Sequence, residues 1–142
     1  MDEQRMTCIF CAIIAGDAPG HFLFQDDNVI ALLSLEGHPL VVPLKHFPGL
    51  EDLDDATAAA VFQCARTVAG AVRAATGCEG INLVLSDGPA AGQDVFHLHL
   101  HVKPRWNGDT VRLTWNTATV PDADRAALAA SIRTRLPTQA PE

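Results

Sequence analysis

Between Phe96 and Val102 the chain alternates strictly between apolar residues and histidines, Phe-His-Leu-His-Leu-His-Val. A two-residue period belongs to an extended strand, in which successive side chains point to opposite faces. A strand is therefore predicted over Val95–Lys103. Phe96, Leu98, Leu100 and Val102 would turn to a core, and His97, His99 and His101 to the other face. The core needs the apolar set. It has no use for three imidazoles, each of which brings two nitrogens that must find partners. Same-face neighbours on a strand lie roughly 7 Å apart, so the three do not turn easily onto one metal ion. What is left is a solvated sheet face or a site for chemistry. Imidazole suits the second, because its ordinary pKa of about 6.5 lets it act as nucleophile or proton donor near neutrality.

The remaining segments read as an α+β fold with a mainly antiparallel sheet. Residues 8–15 form a short helix stopped by Gly16. Strands are predicted at His21–Gln25 and Val29–Ser34, joined by Asp26-Asp27-Asn28, and a third at Pro39–Val42. Asp54 or Asp55 caps a long helix whose Val61, Phe62, Ala65, Val68, Ala69 and Val72 recur at helical spacing, with Gly77 at its exit. A strand at Ile81–Leu85 precedes the histidine strand. The short apolar-alternating piece Val111–Trp115 follows it, and a C-terminal helix spans Pro121–Leu136. No repeat or low-complexity linker divides the chain. One domain over 1–142 is expected, its core at about 7–109 and its C-terminal extension at 110–142.

A chain of 142 residues buries a core without disulfides, and 48% hydrophobic with 19% charged residues is a globular balance. The net charge of -7 argues against a nucleic-acid polymer as partner, but one cluster of donors can still hold a small phosphate. No apolar run is long enough to span a bilayer, and the first residues do not read as a signal peptide. The expected address is the cytoplasm, with no membrane partner. There, Cys8-x-x-Cys11 reads as a metal half-site, a redox pair or a buried pair, while Cys64 and Cys78 read as structural. Trp106 and Trp115 are read as packing residues first, with reaching a dimer partner's site or stacking on a base as the alternatives.

Ahead of the histidines runs Ser86-Asp87-Gly88-Pro89-Ala90-Ala91-Gly92-Gln93-Asp94. Gly88 and Gly92 allow backbone N–H groups to converge into an anion-binding nest. Together, Asp-Gly-Pro-Ala-Ala-Gly-Gln-Asp-Val-Phe-His-Leu-His-Leu-His-Val-Lys-Pro-Arg resembles the signature of the histidine-triad (HIT) superfamily, in its nucleotide-binding and hydrolase branch. The likeness extends to Cys-Ile-Phe-Cys, Ala-Gly-Asp-Ala-Pro and Gly-His-Pro-Leu-Val-Val-Pro-Leu-Lys-His, over roughly residues 7 to 109.

The resemblance implies a homodimer with one continuous sheet, and catalysis through a nucleotidyl-histidine intermediate. His99 becomes the nucleophile, its other ring nitrogen held by a backbone carbonyl. His101 lies beside the phosphate of a purine nucleotide or other nucleoside phosphate. Gln93 and the Gly92 backbone hold phosphate oxygens, Ser86 belongs to the substrate-binding set, and His38 supports from behind. The chain departs from the pattern in three places. The usual acidic ribose ligand is missing from a shortened connection, with Ser34 or Glu36 as substitutes. Ser86 stands where an amide is common. Asp94 stands where a hydroxyl commonly meets the leaving group, and there it repels phosphate as a carboxylate or donates a proton as an acid. Relatives further imply a structural zinc at Cys8, Cys11, His46 and His97. Four functions compete: hydrolysis of phosphoramidates, phosphate esters or dinucleoside polyphosphates; nucleotidyl transfer or phosphorolysis; non-catalytic nucleotide binding; and a purely structural metalloprotein.

Overall fold

The computed structural model describes Glu3 and residues 7–137. The chain falls into two compact units, Met1–Thr110 and Val111–Glu142.

The first unit is built on five antiparallel strands: β1 (Phe22–Gln25), β2 (Val29–Leu33), β3 (Pro39–Pro43), β4 (Gly80–Leu85) and β5 (Leu100–Arg105). They lie in the order β1-β2-β3-β5-β4, which leaves β1 and β4 as edges. Helix α1 (Ile9–Ala15) precedes the sheet, and α2 (Asp55–Thr76) connects β3 to β4. The hairpin of β1 and β2 turns on Asp26, whose Oδ1 accepts from the amides of Asn28 and Val29 at 2.7 and 2.8 Å.

Both faces of the central strands are covered. On one, Val29 and Ala31 of β2, Val41 of β3, and Leu100 and Val102 of β5 pack against Val61, Cys64, Ala65, Val68 and Val72 of α2. Ala31 and Ala65, both fully buried, let the helix approach the sheet closely. On the other, Ile30, Leu32, Leu40 and Val42 meet Phe10 and Ile13 of α1. Each such aliphatic side chain contributes roughly 1.5–3 kcal/mol by leaving water. Double coverage explains why β2 and β3 read as continuous apolar runs.

Helix α2 begins at Asp54, whose Oδ1 accepts from the Thr57 amide at 2.7 Å, and leaves through Gly77 at φ 68°. Its buried stripe differs from the sequence reading at Phe62, which is 64% exposed. One residue turns about 100° around a helix, and the stripe follows Val61, not its neighbour.

The histidine strand also differs. The ladder begins only at Leu100, where Leu100 faces Val41 and His101 faces Leu40. Residues 95–99 are irregular, because their polar groups bond outside the ladder: the Leu98 amide donates to Phe47 O at 2.7 Å, in the segment beyond the end of β3.

In the second unit, α3 (Asp122–Arg133) carries Asp122 and Asp124 in its first turn and Arg133 in its last, as the helix dipole favours. Val111–Trp115 joins no ladder, and Trp115 is 74% exposed, so the packing role expected of it is not met among the described residues. No helix among the described residues is long and apolar enough to cross a membrane.

Candidate active site

Two backbone carbonyls and strand β5 bring the histidines together on the α1 side of the sheet. His97 is fully buried, and its Nε2 lies 2.8 Å from Pro43 O. A carbonyl only accepts, so Nε2 carries the proton and Nδ1 is left as a lone pair. His99 is fixed the other way round. Its Nδ1 donates to His97 O at 2.8 Å, which leaves Nε2 as the lone pair. His101, from β5, stands beside it with ring centroids 5.1 Å apart. Behind His101, its Nδ1 meets Nε2 of His38 at 2.8 Å, and Nδ1 of His38 lies 3.3 Å from Ser34 Oγ.

His99 and His101 line a cavity of about 690 Å³ whose walls include Phe10, Leu40, Ser34, Glu36 and Asp94. The Phe10 ring lies 5.1 Å from that of His99 and 5.7 Å from that of His97. Among the described residues no lysine or arginine lines this cavity, and its polar groups are imidazoles, a hydroxyl and two carboxylates. Burial, then the charges of His99, His38 and Lys103, push His101 down to about 4, against a weaker opposing pull from Glu36. Burial first, and Lys103 next, also lower His38. Both rings are neutral at pH 7.

The loop before the histidines is braced by Gln93, which is only 6% exposed. Its Nε2 donates to Pro48 O at 2.8 Å and Val95 O at 3.1 Å, and its Oε1 accepts from the Gly88 amide at 2.8 Å. Both side-chain hydrogens are therefore engaged by backbone carbonyls, which leaves none for a phosphate. The Gly92 amide is closed onto Pro89 O at 3.0 Å, with Gly88 and Gly92 at φ 90° and 91°. The amides expected to form a nest are taken by acceptors of the loop itself. Neither residue lines the cavity, nor does Ser86.

A second cluster adjoins the first. Cys8, Cys11, His46 and His97 offer one ligand atom each, all within 4.8 Å of one another. Cys8 Sγ to His97 Nδ1 is 3.4 Å, Cys11 Sγ to His46 Nδ1 3.3 Å, and Cys11 Sγ to His97 Nδ1 3.5 Å. A tetrahedral zinc with ordinary bond lengths separates a sulfur from a nitrogen by about 3.5 Å, so the donor set fits that ion. Cys8 also caps α1, its sulfur accepting from the Cys11 amide at 3.4 Å.

The HIT domain family matches residues 15–108. The chain belongs to the HIT family. A HIT-family protein of Bacillus subtilis, known as a crystal structure, superposes with a TM-score of 0.87 at 34% identity, covering 94% of this chain and 99% of that one. A zinc-bound histidine-triad protein of Mycobacterium smegmatis is 37% identical with a TM-score of 0.71, over 92% of this chain and 99% of the other. The adenylylsulfatase HINT3 of Arabidopsis thaliana is 37% identical over 106 residues, 72% of this chain and 54% of its own length.

Of the residues singled out in this HIT sequence, the fold gathers His99, His101, Asp94 and, behind them, His38 at one cavity. It gathers all four cysteine and histidine metal candidates at the next. Sequence reasoning missed Phe10, although it stands between the two cysteines of Cys-Ile-Phe-Cys. It also missed the carbonyls of Pro43 and Phe47, which no side-chain pattern reveals.

Proposed function

We propose that the protein is a nucleotide hydrolase that cleaves nucleoside phosphoramidates and related phosphate esters through a nucleotidyl intermediate on His99. The observation that carries this reading is the bond from His99 Nδ1 to His97 O, 2.8 Å, which frees Nε2 on a ring lining the cavity. Nε2 attacks phosphorus, the P–N or P–O bond to the leaving group breaks, and the leaving group departs with a proton drawn from solvent. Water then attacks the same phosphorus, and the bond to His99 breaks to release a nucleoside monophosphate. His101 stabilises charge on the phosphate oxygens. The apolar wall of Ile9, Phe10, Ile13, Leu32 and Leu40 suits a purine ring. The two carboxylates, Glu36 and Asp94, with no lysine or arginine beside them among the described wall residues, favour a phosphoramidate over a dinucleoside polyphosphate. Asp94 in particular favours an amine leaving group. A family member named as an adenylylsulfatase supports hydrolysis at an adenylyl group.

Cys8, Cys11, His46 and His97 would hold a zinc ion. Four protein ligands close a tetrahedral site, so the metal would tie α1 to the segments of His46 and His97 and take no part in the reaction. The Nε2–H of His97 on Pro43 O is the kind of outer bond that orients a metal-bound imidazole. Two chains would pair along the edge strand β4, where Leu83 is 41% exposed. A reducing cytoplasm suits four cysteines that form no disulfide.

Adenosine 5′-phosphoramidate is the test substrate. Wild-type protein should release AMP, and quenched reactions should carry one AMP on His99 by mass spectrometry. His99→Ala should bind AMP and turn nothing over; wild-type turnover by this variant sinks the mechanism. Added phosphate yielding ADP would identify phosphate, not water, as the acceptor.

A further inference from the structure

Only five residues, Ser34 to His38, join β2 to β3. The turn closes with the Ser34 amide on His38 O at 2.9 Å and the Gly37 amide on Ser34 O at 3.0 Å. Ser34 and His38 are thereby set across from each other. The Ser34 hydroxyl reaches two atoms of His38, its amide nitrogen and its Nδ1, each at 3.3 Å.

The protons along this chain can be counted. An amide N–H only donates, so Ser34 Oγ accepts from it. The hydroxyl's single proton is then left for Nδ1 of His38. A neutral imidazole that accepts at Nδ1 carries its hydrogen on Nε2, and Nε2 of His38 lies 2.8 Å from Nδ1 of His101. His101 accepts there in turn, and its own proton sits on its Nε2. The reverse order, with His38 donating to Ser34, leaves the hydroxyl proton without a protein acceptor among the described residues. It also turns a bare lone pair of His101 toward any phosphate.

We propose that Ser34 is a positioning residue which, through His38, locks His101 in its Nε2–H tautomer and so gives the cavity a hydrogen-bond donor opposite the lone pair of His99. The two neighbouring rings then hold opposite tautomers, each fixed from behind: His99 by the carbonyl of His97, His101 by a hydroxyl two bonds away. In a cavity that no lysine or arginine among the described residues lines, this is how an uncharged ring serves a phosphate oxygen. Burial keeps both His38 and His101 in the neutral form that has a tautomer to choose. The use of the donor rests on the proposed function; the lock itself does not.

The test reads tautomer and turnover separately. Long-range ¹H–¹⁵N spectra of histidine-labelled protein at pH 7, with His101 assigned by its loss in His101→Gln, should show the wild-type proton on Nε2. Ser34→Ala should move the His101 nitrogens toward a mixture or toward Nδ1–H, and Ser34→Thr should restore the wild-type pattern. With adenosine 5′-phosphoramidate, Ser34→Ala should lower kcat roughly tenfold, the scale of one hydrogen bond, with KM within about twofold, and Ser34→Thr should recover it. A wild-type His101 protonated on Nδ1, or a His101 tautomer unmoved by Ser34→Ala, overturns the proposal. Should Ser34→Ala fail to fold, Ser34→Cys, which keeps the shape and weakens the donor, decides the same point by the same spectra. If no phosphoramidate is cleaved at all, the functional reading falls and the spectra still decide the lock.

Discussion

Replacing Gln93 by Ala separates a loop brace from a phosphate ligand. The side chain is 6% exposed and makes three hydrogen bonds, to Pro48 O, Val95 O and the Gly88 amide, at 2.8, 3.1 and 2.8 Å. Each contributes about 1 kcal/mol net, and leaving its buried partner unsatisfied costs about 1–3 kcal/mol. The three groups sit near the surface of a loop, so water recovers part of that loss. A destabilisation of roughly 2–4 kcal/mol follows, or about 10 °C in Tm for a chain of this length. Gln93→Glu keeps the acceptor for Gly88 but sets an oxygen against the carbonyls of Pro48 and Val95, so at pH 7 it should destabilise at least as much. Urea melts of the three proteins measure this, alongside AMP affinity in conditions where each is folded. A stability loss below about 0.5 kcal/mol, the range of a neutral surface change, combined with weakened AMP binding would refute the brace and make Gln93 a substrate contact.

Stability should also depend on His101. Its pKa falls from 6.5 in the unfolded chain to about 4 in the fold, so between those values the unfolded state binds the extra proton. The contribution is fully present above pH 6.5 and is lost as pH falls toward 4, with His38 acting in the same direction. His101→Asn should make the fall in Tm shallower across that window; an unchanged slope contradicts the shift. Protein purified without added metal or chelator should carry about one zinc per chain by elemental analysis, as a four-ligand site requires. Cys8→Ala should lose it and melt lower while still forming the His99 adduct; zinc near zero in the wild type removes the site. Sedimentation at micromolar concentration should give a dimer, and a fully active monomer contradicts pairing along β4.

How much of this was legible depended on whether the controlling partner lay nearby in sequence. Helix α2 was readable because its cap, Asp54, its stripe of Val61, Ala65, Val68 and Val72, and its exit at Gly77 are all local. The hairpin at Asp26 was readable for the same reason. The start of the histidine strand was not. Alternation from Phe96 onward specifies a strand by itself, but the Leu98 amide is taken by Phe47 O, some fifty residues away, and a carbonyl leaves no mark in sequence. Gln93 was legible as important and not as a brace, because its three partners are backbone atoms. Ser34 stood out only as a departure in a shortened connection. What it does depended on the register that pairs β2 with β3.

That broken alternation explains how two kinds of site can share one run of histidines. In a regular strand His97, His99 and His101 would repeat one environment at two-residue intervals. Here His97 O is the acceptor for the His99 ring, and its own ring is held by Pro43 O with Nδ1 facing two cysteines. His97 thus acts twice, by side chain in the sulfur cluster and by backbone on His99. A metal gripping the His97 ring would therefore fix the carbonyl that sets the tautomer of His99, although it would never approach the cavity. Only from Leu100 does the ladder resume, and there His101 takes its tautomer from the opposite direction, through His38 and the β2–β3 turn. The three imidazoles are consecutive in sequence spacing and held by three different parts of the fold. The pair at the cavity can therefore differ in the one respect the chemistry needs, a lone pair on His99 and a proton on His101.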